Sequence, residues 1–278
     1  MITGHTALYG LLGHPVSHTR SPEMQNTAFA LRGVDAVYLA LPVAPEQLAE
    51  AVRGAHALGF QGLNVTVPHK QPAAGLCQAL DEVAREVGAV NTLRRTAAGW
   101  EGFNTDALAA RTLLAAAGVG PGRKALLLGA GGAARAAAWA LVRLGAELRI
   151  AARRPEAADE LCAAMAPYAA GPAPRPAPWS ALGALAPASD VVVNGTSIGL
   201  HGHPPRVEAL AFRRGQLAVD WVYGTTAFAQ AASEAGARVI RGEDLLVRQG
   251  ALAFNLWTGR EPPEAEMAAA IARPQGAH

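Results

Sequence analysis

The 278-residue chain is poor in cysteine, lysine, asparagine and net charge, and each shortage narrows what it can be. Its two cysteines, Cys77 and Cys162, form no CxxC spacing, so neither a disulfide scaffold nor a cysteine-type zinc site is expected, and a reducing, cytoplasmic setting fits. The formal charge is only +2 and no dense basic run occurs, so nucleic acid and anionic membrane are not expected as partners. No uninterrupted apolar run reaches the about 18 residues of a membrane span. The opening MITGHTALYGLLGHP lacks the basic and apolar regions of a secretory signal, and none is expected. The absence of H-E-x-x-H and of a Walker lysine removes support from zincin and P-loop readings. His14, His18 and His69 lack metal-type spacing, and His201-Gly202-His203 sits in a Gly/Pro loop, so no metal is expected.

What is present is a globular composition, 51% hydrophobic and 17% charged, long enough for two modest domains or one large one. Of the 24 basic residues only Lys70 and Lys124 are lysine. A chain that writes arginine for almost every cation keeps lysine where arginine cannot substitute, and arginine cannot release its proton near neutral pH. Lys124 stands just before an apolar strand, so the count alone does not decide.

Strand-like and helix-like segments alternate along the chain. ALYGLLG, AVYLALPV and GLNVTV read as strands; Ser21-Pro22 opens a helix to about Arg32, and PEQLAEAVRGAHAL forms the next. A further helix is expected to run through about Glu86, then two extended pieces around NTLRRT and GWEGFN with an AAG turn between them. After a helix from Thr105 to about Ala117, a second alternating series runs from KALLL through ELRIAAR, DVVVNGT, LAVDWVY and RVI. GPAPRPAPW reads as a solvated loop, GEDLLVRQGALAFNLWTG as a long amphipathic helix, and about Pro263–Arg273 as a last helix. This order implies an α/β fold built from βαβ units with mostly parallel sheet.

Gly129-Ala130-Gly131-Gly132-Ala133-Ala134 fits G-x-G-x-x-G/A between an apolar strand and a helix. The first glycine permits a tight turn, the second lets backbone approach a pyrophosphate, and the small third residue lets helix and strand pack closely. About 20 residues later, where an NAD site carries an acid for the ribose 2′-hydroxyl, the next strand ends in Arg153-Arg154. Two guanidiniums suit a 2′-phosphate, so NADP is favoured over NAD, against the bland reading of an exposed arginine pair.

Uncharged hydrogen-bonding residues collect in Ser17–Ser21, Asn64–Lys70, Gly88–Thr92, Asn104–Asp106 and Asp220–Tyr223, with Gln249 further on. Thr66, Lys70, Asn91 and Asp106 follow strand-like segments and are expected at carboxyl ends of strands, where open α/β sheets bind ligands. Hydroxyls and carboxamides with one lysine and one aspartate suit a small polyhydroxylated ligand. Each also has a bland reading: Ser21 and Thr105 as helix caps, Asn91 in a turn.

In order, GHPVSHTRSP, GLNVTVPHK, GAVNT, GFNTDA, LGAGGAARA, VVNGTSIG, DWVY and GEDLLVRQGALAFNLWTG make nearly the whole chain resemble the shikimate 5-dehydrogenases. The resemblance implies a substrate-binding and catalytic domain, 1–106 with 242–278, and a Rossmann-like NADP-binding domain, 107–241. It implies reversible reduction of 3-dehydroshikimate to shikimate with NADP(H), a step toward chorismate and aromatic amino acids. By motif match, Lys70 corresponds to the family's catalytic lysine, with Asp106 beside it, and Thr19 and Ser21 to the hydroxyls that hold the substrate carboxylate. Thr66, Asn91, Asp106, Tyr223 and Gln249 match other substrate-contacting positions; Gly129, Ala130, Gly131, Gly132, Ala133, Arg153, Arg154, Trp221 and Gly242 match the cofactor side. A monomer or homodimer is expected. The chain departs from the family pattern at Thr19 for serine, Gln25 for histidine, Ala152-Arg153-Arg154 for Asn-Arg-Thr, and Leu245 for methionine.

The chemistry asks for a group that gives a proton to the carbonyl oxygen as hydride arrives and takes it back in reverse, the role expected of Lys70. The rivals are a quinate/shikimate dehydrogenase using NAD, a non-catalytic metabolite sensor on the same fold, and an NADP enzyme for an amino acid or pterin. Retention of Lys70 with Asp106 speaks against the sensor, and the paired hydroxyls at Thr19 and Ser21 speak against the last.

Overall fold

The computed structural model describes residues 2–199 and 210–272, so His201, His203 and Arg273 lie outside the described residues. The chain opens with β1 (Ala7–Gly13), α1 (Ser21–Leu31), β2 (Ala36–Pro42), α2 (Leu48–Ala57) and β3 (Gly62–Val65). Short β4 (Ala79–Leu80), α3 (Glu82–Val87), β5 (Thr92–Thr96), β6 (Gly99–Phe103) and α4 (Thr105–Ala116) follow. The second series is β7 (Lys124–Leu128), α5 (Gly132–Arg143), β8 (Glu147–Ala151), α6 (Pro155–Met165), β9 (Arg175–Ala177), α7 (Leu182–Ala188) and β10 (Val191–Asn194). It continues with β11 (Leu217–Asp220), α8 (Ala227–Glu234) and β12 (Arg238–Ile240), and α9 (Gly242–Thr258) and α10 (Glu264–Ala272) close the chain. Two compact units result, Met1–Thr105 with Leu246–His278, and Asp106–Leu245.

In the first unit six strands take the order β2-β1-β3-β5-β6-β4. The helical crossovers make β1 parallel to β2 and β3, while the tight turn after Thr96 makes β5 and β6 an antiparallel hairpin, and β5 also runs antiparallel to β3. Along β1 the side chains alternate: Tyr9 and Leu11 enter a core with Met24, Phe29, Tyr38 and Phe254, whereas Leu12 enters another with Val52, Leu63, Val65, Leu93 and Trp100. The sheet is therefore covered on both faces. Burying side chains of this size is worth about 1.5–3 kcal/mol each. β2 is an edge strand, and at Tyr38 that edge is occupied by α1: Asn26 Nδ2 donates to the Tyr38 carbonyl at 3.0 Å and its Oδ1 accepts from the Tyr38 N–H at 2.8 Å.

The second unit carries six strands in the order β12-β11-β10-β7-β8-β9, every pairing parallel. Read from β9 and numbered within the unit this is 3-2-1-4-5-6, the dinucleotide-binding arrangement, with its switch point between β7 and β10. Leu126, Leu127, Leu128, Val192, Val193 and Ala218 are all buried, as strands covered on both sides require.

Two expectations need correction. The helix drawn through Glu86 is instead a 3-10 turn (Pro72–Leu76), β4 and α3. Asp81 starts α3 by accepting the Ala84 N–H at 2.8 Å, and left-handed Gly88, φ 69°, ends it. The Pro-rich segment 171–179 is not all loop, because Arg175–Ala177 pairs with β8 as the sheet's edge strand, a place where Pro176 removes no needed bond.

Candidate active site

In the first unit the polar residues gather at one end of the sheet. β1, β3 and β6 run toward that end, so the segments after them, carrying Thr19 and Ser21, Thr66 to Lys70, and Thr105, all emerge there. Asn91 was expected after a strand; it lies just before β5, and the antiparallel pairing of β5 with β3 brings it to the same end.

Side-chain hydrogen bonds fix this corner. The Tyr38 hydroxyl donates to Asn64 Oδ1 at 2.7 Å, and Asn64 Nδ2 donates to Thr92 Oγ1 at 3.0 Å and to the Asn91 carbonyl at 3.1 Å. Asn91 Oδ1 accepts the Thr105 N–H at 2.7 Å, which anchors the start of α4, and its Nδ2 donates to Thr105 Oγ1 at 2.9 Å and Gln249 Oε1 at 3.2 Å. Thr105, expected as a helix cap, is instead the first residue of α4, with its N–H held by Asn91. Asn64, Asn91, Thr92 and Thr105 are all buried, so each unmade bond would cost about 1–3 kcal/mol.

Lys70 belongs to the same corner through its backbone, since its carbonyl accepts the Val90 N–H at 2.9 Å. The preceding His69 is fully buried and donates from Nε2 to the Val43 carbonyl at 2.7 Å, pinning the loop that carries the lysine. Ser21 was expected to cap α1. It is instead the first helical residue; Arg20 occupies the cap position without capping through its side chain, which pairs with Glu23, and the Thr19 hydroxyl donates to Ser21 Oγ at 3.2 Å. Gln25, one turn later, is buried and ties α1 to α9 by donating to the Gly250 carbonyl at 2.9 Å.

In the second unit all strands are parallel, so the segments after β7, β8, β10, β11 and β12 share one edge. Gly129 leaves β7 with φ 103°, where a Cβ would stand 3.0 Å from the Gly195 carbonyl oxygen, and its N–H donates to the Ala151 carbonyl at 2.8 Å. Gly131 is exposed, with no atom within 4 Å of where its Cβ would stand. The first intrahelical bond of α5 runs from the Arg135 N–H to Gly131, so helix geometry leaves the N–H groups of Gly132, Ala133 and Ala134 without intrahelical acceptors. Buried Ala134 packs against the turn after β10, where a Cβ on Gly195 would be 2.9 Å from Ala134 Cα.

Arg153 and Arg154 follow β8, the neighbour of β7, and both are exposed. Trp221 follows β11, and its N–H donates to the Asn194 carbonyl at 3.1 Å. Gly242 starts α9 where a Cβ would lie 2.5 Å from the Val222 carbonyl oxygen. Asp106, in the first turn of α4, is 7% exposed. Tyr223 keeps 37% of its surface exposed. Even so, desolvation and then the Asp106 and Glu243 carboxylates hold its phenol above the usual range, so it remains a hydroxyl donor at neutral pH. The anion-friendly turn, the exposed guanidinium pair and the absence of an acid at the end of β8 together fit an NADP molecule.

The family model of the shikimate dehydrogenase substrate binding domain matches residues 11–93, and that of the shikimate 5′-dehydrogenase C-terminal domain matches residues 242–272. A shikimate dehydrogenase (NADP(+)) of Anaeromyxobacter sp. (strain K) is 65% identical over 277 residues, covering all of both chains. The chain belongs to the shikimate dehydrogenase family. Among solved family structures, the Thermus thermophilus enzyme in complex with NADP(H) and shikimate aligns with TM-score 0.84 at 34% identity, over 96% of this chain and 99% of that one. A quinate dehydrogenase from Corynebacterium glutamicum in complex with NAD aligns with TM-score 0.86 at 28% identity, over 96% and 99%. The shikimate dehydrogenase fold, an α/β architecture with a Rossmann-like sheet, is the one found here.

The candidate residues thus fall in two sets: Thr19, Ser21, Thr66, Lys70, Asn91 and Gln249 in the first unit, and Asp106, Tyr223 and the cofactor-side residues in the second. Motif reading passed over the supports, His69, Tyr38, Thr92, Asn194 and Asp220. One signal was that His69, Thr92 and Asp220 lie in the polar segments Asn64–Lys70, Gly88–Thr92 and Asp220–Tyr223; another was the scarcity of asparagine, since Asn64, Asn91 and Asn194 of the six are all bonded at strand ends.

Proposed function

We propose that this chain is a cytoplasmic NADP-dependent shikimate dehydrogenase that reversibly reduces 3-dehydroshikimate to shikimate, on the route to chorismate and the aromatic amino acids. One observation carries the reading: the Gly129–Ala134 turn at the switch point has the exposed Arg153–Arg154 pair after the adjacent strand, in a chain whose other unit gathers Lys70 with amides and hydroxyls at a sheet end. The free cysteines support a reducing compartment; burial pushes both the Cys77 and Cys162 thiols up to about 11, so neither is poised for redox exchange.

The residues that would hold NADP are the backbone of Gly129 to Ala133, Arg153 and Arg154 at the 2′-phosphate, and Trp221 and Gly242 at the other end. When bound, the cofactor supplies or accepts the hydride. Thr19 and Ser21 donate hydroxyl hydrogens to the substrate carboxylate. Thr66, Asn91, Asp106, Tyr223 and Gln249 bond the ring hydroxyls and fix the ring's face. The Lys70 ammonium gives a proton to the carbonyl oxygen as negative charge grows there, and the neutral amine takes it from the shikimate hydroxyl in the reverse direction. Asp106 accepts a hydrogen bond from a neighbouring substrate hydroxyl.

The test is spectrophotometric. Purified protein is expected to oxidise NADPH with 3-dehydroshikimate and not without it, with kcat/KM for NADPH well above that for NADH and shikimate preferred to quinate in reverse. No turnover with 3-dehydroshikimate would overturn the reading, and equal use of NADH would overturn the cofactor assignment.

A further inference from the structure

The second unit contains a fully buried carboxylate that none of the steps above uses, Asp220 at the end of β11, with 0% exposure. Its Oδ1 accepts from Asn194 Nδ2 at 2.9 Å and from the Val222 N–H at 3.1 Å, and its Oδ2 accepts from the Thr226 hydroxyl. Each partner organises a different segment. Asn194 Oδ1 accepts the Thr196 N–H at 3.2 Å and hydroxyl at 2.6 Å, and Thr196 Oγ1 accepts the Ile198 N–H at 3.0 Å, so the turn after β10 is wound around Asn194. The Val222 bond fixes the turn after β11, between Trp221 and Tyr223. Thr226 Oγ1 accepts the Ala229 N–H at 3.0 Å and so caps α8.

Three donors from three segments meet one group that can only accept, which is what a carboxylate offers and a neutral side chain of that size does not. Burial disfavours the anion and raises its pKa, and the three bonds pull it back, so the fold bears an electrostatic cost at this strand end. The turn it winds touches the Gly-rich turn directly: a Cβ on Gly129 would stand 3.0 Å from both the Gly195 oxygen and Thr196 Cγ2.

We propose that Asp220 is a positioning residue for the cofactor: it sets the turns after β10 and β11 that flank the Gly-rich turn and so governs NADP affinity without contacting the nucleotide. This rests on the NADP reading above. The amide of Asp220→Asn keeps an oxygen for Asn194 and Val222 and loses only the acceptor for Thr226. Asp220→Ala removes all three.

The experiment measures NADPH binding by fluorescence titration, hydrogen exchange of the cofactor-free protein, and KM for NADP and for shikimate separately. Asp220→Ala is expected to raise the NADPH Kd about tenfold or more and speed exchange at Thr196, Ile198 and Val222, with a smaller rise in the shikimate KM through the turn that carries Tyr223. Asp220→Asn is expected to stay within about threefold of wild type in NADPH Kd. Should Asp220→Ala fail to fold, Asn194→Ala carries the same expectation for the turn after β10. A folded Asp220→Ala or Asn194→Ala protein with wild-type NADPH affinity would overturn the proposal, as would a folded Asp220→Asn protein that loses NADPH binding. Failure of the wild-type protein itself to bind NADPH would instead overturn the functional reading.

Discussion

The two units place their functional residues at the same kind of location, the ends of strands, but build those ends from different materials. In the first, side chains make up the candidate site and its supports: Tyr38, Asn64, Thr92, Asn91, Thr105 and Gln249 make one connected chain of neutral donors and acceptors in a mixed sheet. In the second, the parallel sheet presents backbone turns, Gly129 to Ala133 and Asn194 to Ile198, the latter wound around Asn194, which donates to the buried carboxyl of Asp220. A ring bearing hydroxyls must be told from its isomers, and that takes amides and hydroxyls held at fixed positions. A pyrophosphate carries delocalised charge and is met adequately by N–H groups and a helix end. On the proposed reading, discrimination draws mainly on the first unit, with Asp106 and Tyr223 added from the second, and grip on the second.

Substitutions that hit one unit and spare the other test this division. The largest effect belongs to Lys70→Ala, expected to lower kcat by about 10²–10⁴-fold with NADPH Kd unchanged, and Lys70→Arg is expected not to restore it. Stopped-flow turnover with parallel binding titrations checks both; a Lys70→Ala enzyme within a few-fold of wild-type kcat would break the assignment. Next comes the Arg153→Ala/Arg154→Ala double variant, expected to cut kcat/KM for NADPH by about 10–100-fold while leaving NADH and shikimate kinetics alone, since charged hydrogen bonds are worth about 1.5–3 kcal/mol. Asn91→Ala strands the Thr105 N–H, and should lose about 1–3 kcal/mol of stability to denaturant and raise the KM for shikimate, with NADPH affinity unchanged.

The smallest effect is a pH dependence. Because the Asp220 pKa is raised in the folded protein, its favourable contribution is complete below the ordinary carboxylate pKa and is lost as pH rises through the elevated folded value. Asp220→Asn cannot ionise. The difference in Tm, variant minus wild type, is therefore expected to increase from pH 4 toward neutrality, and a flat difference across that range would contradict the shift.

Local signals in the sequence located much of this molecule. ALYGLLG and RVI are strands end to end, and GEDLLVRQGALAFNLWT is one helix, because alternation and amphipathic spacing are properties of neighbouring residues. The Gly-rich turn was readable for the same reason. The break of the expected helix at Pro72, Asp81 and Gly88 was missed because three modest signals overruled an apolar pattern. The Ser21 cap was misread because Arg20 takes that position in helical conformation. Least legible were the supports: Asn194 finds Asp220 26 residues later, and Asn91 finds Gln249 158 residues later, distances over which no periodicity operates.

The amide of Asn26, clipped across the backbone of Tyr38, carries a consequence for the protein in bulk. An open sheet border invites a second molecule to dock along it rung by rung, and here one rung is already filled from within. Replacing Asn26 with leucine would unplug it, giving concentrated solutions a seam along which copies could stitch into insoluble ribbons.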